Sequence, residues 1–364
     1  MSGAISPSGA SLAQLLIANS NAAALQVDNL TEESSSGLVS QNYAGLGEGA
    51  AVALNLQPQI SRATTLQTGV TAATGPMTVA QGALTQINTL ATGVIAQLAN
   101  LNGLDPTAVN SVAASAQSAL TQVAQLLNEQ DAGQYVFAGQ DSANPPVPDP
   151  SDILSSNFYT QINAAVSSLG SNGASATEAT TLGVAASTAA GTSPFSATLE
   201  ALSASGDGRS SVQIGVDQSV PGVMLANTNG DVASQGNTAA NPNITTGSYM
   251  RDILRGLATI ASFNSTTLAA PDAQTFIQDT QTSLTDATST LSTDQGVLGD
   301  RQTQLTNTGT LLGDTVTALN TQVSNITDAN LAQVATQLSN ANTQLQASYQ
   351  MIANVSKLSL VQYL

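Results

Sequence analysis

A leucine or isoleucine stands at every seventh position from Ile277 to Ile326, with Leu284, Leu291, Leu298, Leu305, Leu312 and Leu319 between them. No other feature of this chain restricts its fold as strongly. A strict seven-residue repeat keeps one seam of an α-helix turned toward a partner and implies left-handed supercoiling. At 1.5 Å per residue an unbroken helix over this span is about 75 Å long. The companion seam positions, Thr280, Ala287, Asp294, Arg301 and Thr308, are mostly polar. Such a row suits burial against other helices of a larger bundle better than an isolated two-stranded zipper.

After Ile326 the phase slips. Leu331, Leu338, Leu345 and Ile352 resume the seven-residue step, with Val334, Ala341 and Val355 as companions. The short interval from Ile326 to Leu331 predicts a bend or a change of partner over residues 327–330. Leu358, Leu360, Val361 and Leu364 leave an apolar tail that needs a mate.

The N-terminal end carries a matching stripe. Ser11 to Gln14 fits a capping box, and Leu12, Leu16, Ala23, Val27 and Leu30 recur at helical spacing. Ser36-Gly37 predicts the stop, since glycine enters the left-handed conformation freely. A glycine-rich loop follows over residues 42–47. A second stripe runs through Val52, Leu56, Ile60, Ala63, Leu66 and Val70, with a kink or fresh start expected at Pro58. Residues 77–131 read as two helices. One carries Leu84, Ile87, Ala91, Val94, Leu98 and Leu101; the other carries Val109, Val112, Ala116, Ala119, Val123 and Leu126. Between them Asp105 is placed as N-cap and Pro106 at the first helical position.

The middle differs. Residues 140–250 are rich in Gly, Pro, Ser, Asn and Thr, and the proline run 144–150 reads as a linker. Phe158–Leu169 predicts one short helix, Ser211–Val216 a strand, and Val220–Leu225 a second strand. The fold class is therefore mainly α: a long antiparallel helical bundle or coiled coil formed by the N- and C-terminal segments, with a small inserted α+β or β domain. The expected organisation is an N-terminal assembly helix (1–45), the N-terminal part of a bundle (46–139), an inserted outer domain (140–250), the C-terminal part of the bundle (251–326) and a C-terminal assembly helix (327–364).

Composition narrows the chemistry. The chain has no His and no Cys, which removes imidazole bases, thiol nucleophiles and the usual zinc ligands. Its single lysine is Lys357. A net charge of −17 argues against nucleic acid, which demands cationic phosphate contacts, and against an anionic membrane surface. No apolar stretch reaches the roughly 20 residues of a membrane span. Met1 to Ala10 lacks both a basic residue and a following apolar segment, so no cleaved secretory signal is expected. Charged residues are 8% of the chain, too few for the Lys/Glu-rich surface that keeps ordinary monomers apart.

Local candidates for a site are weak. Asn227–Asp231 places oxygen ligands at alternate positions but lacks the carboxylates and distal glutamate of a calcium loop, and reads as a turn. Gly206-Asp207-Gly208-Arg209 reads as a hairpin or strand entry. Arg251 and Arg255, one helical turn apart beside Asp252, read as a solvated helix face or a contact to a neighbouring subunit. No catalytic, cofactor or metal residue is expected, and the chain is read as non-enzymatic.

Three segments carry a resemblance to a known family. These are Leu25–Leu30 through Ser36-Gly37, Gly133-Gln134-Tyr135-Val136-Phe137-Ala138-Gly139, and Leu345-Gln346-Ala347-Ser348-Tyr349-Gln350 with Leu358 to Leu364. In order and position they resemble the bacterial flagellin and hook–filament junction family, whose junction member is also called hook-associated protein 3. The last two segments are closest to its junction version. The resemblance covers both helical ends and extends weakly to Gly206–Arg209 and Tyr249–Leu257. It departs after Ser36-Gly37, where Leu38 and the Tyr43–Gly47 loop stand in place of a basic residue and an Asp-Asp-Pro-like run.

The resemblance implies an extracellular structural subunit of the flagellum, exported without a cleaved signal through the type III flagellar apparatus with an export chaperone. It implies self-association in a helical ring or filament, and contact with other hook-associated proteins and flagellin. The expected assembly interface is Leu12, Leu16, Val27, Leu30, Leu331, Leu338, Leu345, Ile352, Val355 and Leu358, and the bundle seam is the Ile277–Ile326 row. The junction subunit comes first, filament flagellin is the alternative, and a secreted adhesin-like binding protein using residues 140–250 is the third reading.

Overall fold

A computed structural model describes residues 7–99, 106–205, 208–229 and 245–361. In chain order the elements are α1 (Pro7–Ser36), α2 (Gly49–Ala99), α3 (Pro106–Leu126), β1 (Gln130–Asp131), β2 (Gln134–Tyr135), α4 (Asn157–Ser167), α5 (Leu169–Ala186), α6 (Ala197–Ala204), β3 (Ser211–Gly215), β4 (Gln218–Pro221), α7 (Tyr249–Ala261), α8 (Ser265–Leu268), α9 (Ala273–Thr327) and α10 (Leu331–Val361). The fold is mainly α. Among the described residues the only sheets are two antiparallel hairpins, β1–β2 and β3–β4. The chain divides into two compact units, Met1–Thr64 with Leu312–Leu364, and Thr65–Leu311.

The long helices differ from the sequence expectation at their starts and at their prolines. α1 begins at Pro7, so Ser11 lies inside it and is not its cap. Proline suits a first helical position because its missing N–H has no intrahelical acceptor there. α2 runs unbroken through Pro58, where a kink was expected, and through Pro76. Leu56 and Ala63 around the first proline, and Met77 and Ala80 after the second, are buried, and that burial carries the helix across each lost hydrogen bond. α3 opens on Pro106 as the Asp-Pro pair predicts. Leu101 and Asp105 lie outside the described residues.

In the second unit, α2 and α9 run antiparallel. Asn88 Nδ2 donates to Ser292 Oγ (3.0 Å), Gln295 Nε2 to Thr85 Oγ1 (3.1 Å) and Gln302 Nε2 to Thr78 Oγ1 (3.4 Å). Rising numbers on one helix thus meet falling numbers on the other. The centre of this unit is α7, every residue of which is buried. Its apolar side carries Ile253, Leu254, Leu257 and Ile260, and it packs on α3, α4 and α5. Gly256 lets α9 come close: a Cβ there would lie 3.1 Å from Leu284 Cδ1.

Residues 140–250 belong to the second unit and are α+β with helix predominating. α4 matches the expected helix, and its N-cap is Ser156, whose Oγ accepts from Tyr159 N at 3.2 Å. β3 matches the expected strand; the second strand is shorter and earlier than expected, ending at Pro221. α5 and α6 were not legible in a Ser/Thr/Gly-rich stretch. They form because Leu169, Val184, Ala185 and Leu199 find buried positions, and tertiary packing overrides weak propensity. The proline run is not a free linker either. Asn128 donates to Val147 O (2.6 Å) and accepts from Val147 N (2.9 Å), and Val147 is buried.

In the first unit, α1 and α10 pack along each other. α1 stops at Ser36, and Gly37 takes φ +71°, as the Ser-Gly pair predicts. α9 ends at Thr327 and α10 begins at Leu331, so the phase slip is a true helix break.

Candidate functional site

The first unit presents a surface rather than a pocket. Along α1, Ser20, Ala23 and Leu30 are buried and Leu16 and Val27 are half-buried. On α10, Val334 and Ala341 are buried, whereas Leu338, Leu345, Ile352 and Val355 are half-buried. The core between these helices is small: Leu30, Val334 and Ala341, with Val27, Ala329 and Leu338 against it. Leu331, expected in the seam, is 53% exposed. Leu12 and Leu358 lie outside the residues whose side chains are described.

Several large apolar side chains remain uncovered. Of the thirteen exposed large hydrophobic residues among the described ones, ten belong to this smaller unit: Leu15, Ile17, Leu25, Val39, Tyr43, Val52, Leu54, Leu331, Tyr349 and Met351. Their disposition on α1 decides what can cover them. Taking the buried stripe of α1 as reference, Leu15 and Ile17 point roughly 100° to either side and Leu25 points roughly opposite. Large apolar side chains thus face three directions among exposed polar residues such as Asn19, Gln26 and Asp28, and α10 covers one side.

The heptad row shows the same gradient. Ile277, Leu284, Leu291, Leu298 and Leu305 are buried in the second unit, and Leu284 to Leu305 are completely dry. Leu312, Leu319 and Ile326, in the first unit, are half-buried. Ile326 does have a neighbour, since a Cβ on Gly49 would lie 2.6 Å from its Cγ2.

The polar residues nearest to a reactive site in composition are instead locked inside the second unit. Arg251 and Arg255 are buried, not on a solvated face, because Ala185, Glu200 and Asn227 close over the first and Ser283 of α9 meets the second. Arg251 makes two 2.6 Å contacts with the Glu200 carboxylate, donates from Nε to Asn227 O (2.9 Å) and from Nη1 to Ala185 O (3.0 Å), and stacks over Phe195 at 5.1 Å. Asn227, read from sequence as part of a turn, donates to Glu200 Oε2 (2.9 Å) and accepts from Ser203 Oγ (2.8 Å). Gly206, Asp207, Gly230 and Asp231 lie outside the described residues. This network neutralises its charges internally.

Asp252 accepts from Thr245 Oγ1 (2.6 Å) and Thr246 N (3.1 Å) and sits 3.6 Å from Arg255. Burial raises its carboxyl above the ordinary 3.8, while Arg255 and the two threonines pull it down. Burial lowers Arg255 in turn, opposed by Asp252 and Glu178. The Tyr249 hydroxyl is raised by burial and then by nearby Asp294, with no hydrogen bond of ordinary geometry between them. Among the described residues no cluster of acidic side chains could hold a metal ion, and no helix is long and apolar enough to cross a membrane.

Sequence reasoning missed the Arg251–Glu200–Asn227 network. Its members are 51 and 24 residues apart, and no local pattern joins them.

Comparison with known families supplies the remaining finding. Residues 5–142 match the model of the bacterial flagellin N-terminal helical region, and residues 281–364 match that of the bacterial flagellin C-terminal helical region. No curated protein matches the chain.

Proposed function

Because the chain belongs to the bacterial flagellin family, a family of structural proteins that assemble into the extracellular flagellar filament, we propose that it is the hook–filament junction subunit, which adapts hook to filament. That it is a structural subunit of the flagellum follows from the family. The finer position is our reading. The observation that carries it is the segment Gly133–Gly139, whose sequence resembles the junction version. This segment closes the β1–β2 hairpin, buries Phe137, and accepts Ala226 N at Phe137 O (3.0 Å).

The assembly interface we propose is the α1·α10 pair, with Leu12, Leu16, Val27 and Leu30 on one helix and Leu331, Leu338, Leu345, Ile352, Val355 and Leu358 on the other. The exposed Leu15, Ile17 and Leu25 of α1 support it: burying them requires neighbouring copies, so folding of the pair is coupled to assembly. Residues 140–250 are proposed as the outer part of the subunit. Other hook-associated proteins, flagellin, an export chaperone and the type III flagellar apparatus are its proposed partners.

Two experiments test this reading. Purified monomer is added to filament seeds: a short cap is expected, and growth of long filaments refutes the junction assignment in favour of filament flagellin. Deleting the gene is expected to leave hooks without filaments and flagellin monomer in the medium.

A further inference from the structure

The heptads of the first unit create a problem of register. On α1, Leu16, Ala23 and Leu30 are seven apart, and so are Ser20 and Val27; on α10, Leu331, Leu338, Leu345 and Ile352 repeat, as do Val334 and Ala341. Sliding one helix by a heptad therefore sets like against like. Apart from Leu30 the buried knobs are small, Ser20, Ala23, Val334 and Ala341, so shape opposes such a slip at one position only. The step would displace one helix by about 10 Å, enough to misplace every outward-facing apolar residue.

The two chain segments meet at one further place. α1 ends at Ser36 and α9 at Thr327, and the breaks lie level with each other. Leu38 and Asp328 form an isolated antiparallel bridge. Val39 N donates to Thr327 O and Ala329 N to Gly37 O, each at 2.8 Å. Gly37 turns the chain into this bridge at φ +71°, a conformation that costs other L-residues about 1–2 kcal/mol. The local caps leave those donors free for it: Ser36 Oγ accepts from Leu38 N (3.2 Å) and Asn330 Oδ1 from Gln333 N (3.3 Å). Unlike the heptads, the bridge has no repeat, and it can form in one alignment only.

We propose that the Gly37–Val39/Thr327–Ala329 bridge is a register lock, which selects one of the heptad-related alignments of α1 against α10 and so positions the assembly surface. The inference rests on α1·α10 being an assembly element, not on which flagellar position the subunit occupies.

The test uses Val39→Pro with Ala329→Pro, which removes both bridge donors and, apart from Ala329 at the edge of the Leu30–Val334–Ala341 core, leaves the seam residues unchanged. The full chain has no cysteine of its own, so Asn29→Cys and Thr336→Cys, both at exposed positions, accept spin labels cleanly. Distances are read in assembled, spin-diluted material. The unsubstituted bridge is expected to give one distance, and the proline pair a second population displaced by about 10 Å. If the proline pair does not assemble, Leu30→Cys with Val334→Cys, which lie in one packed cluster, are joined by a short bifunctional thiol reagent; this staple must first be shown to permit assembly of the chain with an intact bridge. Assembly restored by the staple supports the lock. A single unchanged distance, or loss of assembly that the staple does not reverse, overturns it. The distance reads register in any assembled form, so a filament in place of a junction cap refutes the proposed position without touching this inference.

Discussion

One leucine row passes through both units of this protein and meets different fates. From Leu284 to Leu305 it is completely dry, covered within its own unit by elements that include α7, whose Gly256 admits Leu284. From Leu312 to Ile326 the same spacing continues, but each residue stays half-buried. The second unit has a central helix that is buried at every position; among the described residues the first unit has nothing comparable, and its α1·α10 core is a handful of small side chains. The periodic pattern is thus a request for burial that one unit meets fully from its own chain and the other meets only in part. Stability and assembly are separable on that basis.

The largest expected effect breaks the comparison directly. Leu305→Asp places a carboxylate where exposure is zero and destabilises the isolated monomer by about 2–5 kcal/mol. Leu319→Asp, in the half-buried part of the row, leaves the monomer's denaturation midpoint within about 0.5 kcal/mol yet stops assembly. Equal losses of monomer stability would erase the distinction. Thr308→Asp, beside the row, serves as the mild control.

Arg251→Met comes next. It leaves Glu200 buried without the Arg251 nitrogen that contacts both its carboxylate oxygens and costs about 3–5 kcal/mol, seen as a lowered midpoint for the second unit with exchange in α1 and α10 unchanged. Adding Glu200→Gln recovers part of the loss, because an uncompensated charge is then no longer buried.

A smaller effect depends on pH. The folded-state pKa of Asp252 is raised, so the native protein holds that proton to higher pH than the unfolded chain. This contribution to stability is full below the ordinary 3.8 and is lost as pH rises from there through the raised folded value. Asp252→Asn is expected to flatten that part of the stability–pH curve, measured by urea denaturation across the window.

The smallest concerns a hairpin turn. Ala132 takes φ +49° and Gly133 +81° between β1 and β2, the geometry that favours Asn-Gly or Gly-Gly. Ala132→Gly relieves the left-handed alanine and stabilises the second unit by about 1 kcal/mol. Its first-unit counterpart, Gly37→Ala, strains the bridge by a similar amount and is expected to show in assembly.

Several elements were legible because their signals are local. The Ser36-Gly37 stop, the helix opening on Pro106, the break after Thr327 and the β3 strand each follow from a few neighbouring residues. Pro58 misled because a local rule was overruled by burial on either side of it. α5 and α6 stayed hidden because their residues have weak intrinsic preferences, and only contact with the rest of the second unit makes them helical. Arg251 and Arg255 look like surface residues on any helical wheel, since the wheel does not contain the distant residues that cover them: Ala185, Glu200 and Asn227 over Arg251, and Ser283 against Arg255.

The amino-acid sequence by itself determined that long helices form at both ends, where they stop, that their seams repeat every seven residues, and that their matched segments belong to the flagellin family. Only the tertiary structure decided which part of the leucine row is dry, that α7 is wholly enclosed, and that a two-bond bridge ties the break in one end to the break in the other. Periodicity is a property of neighbours along the chain, whereas burial and register depend on which distant segment arrives to fill the face, and a repeating pattern cannot specify its own alignment.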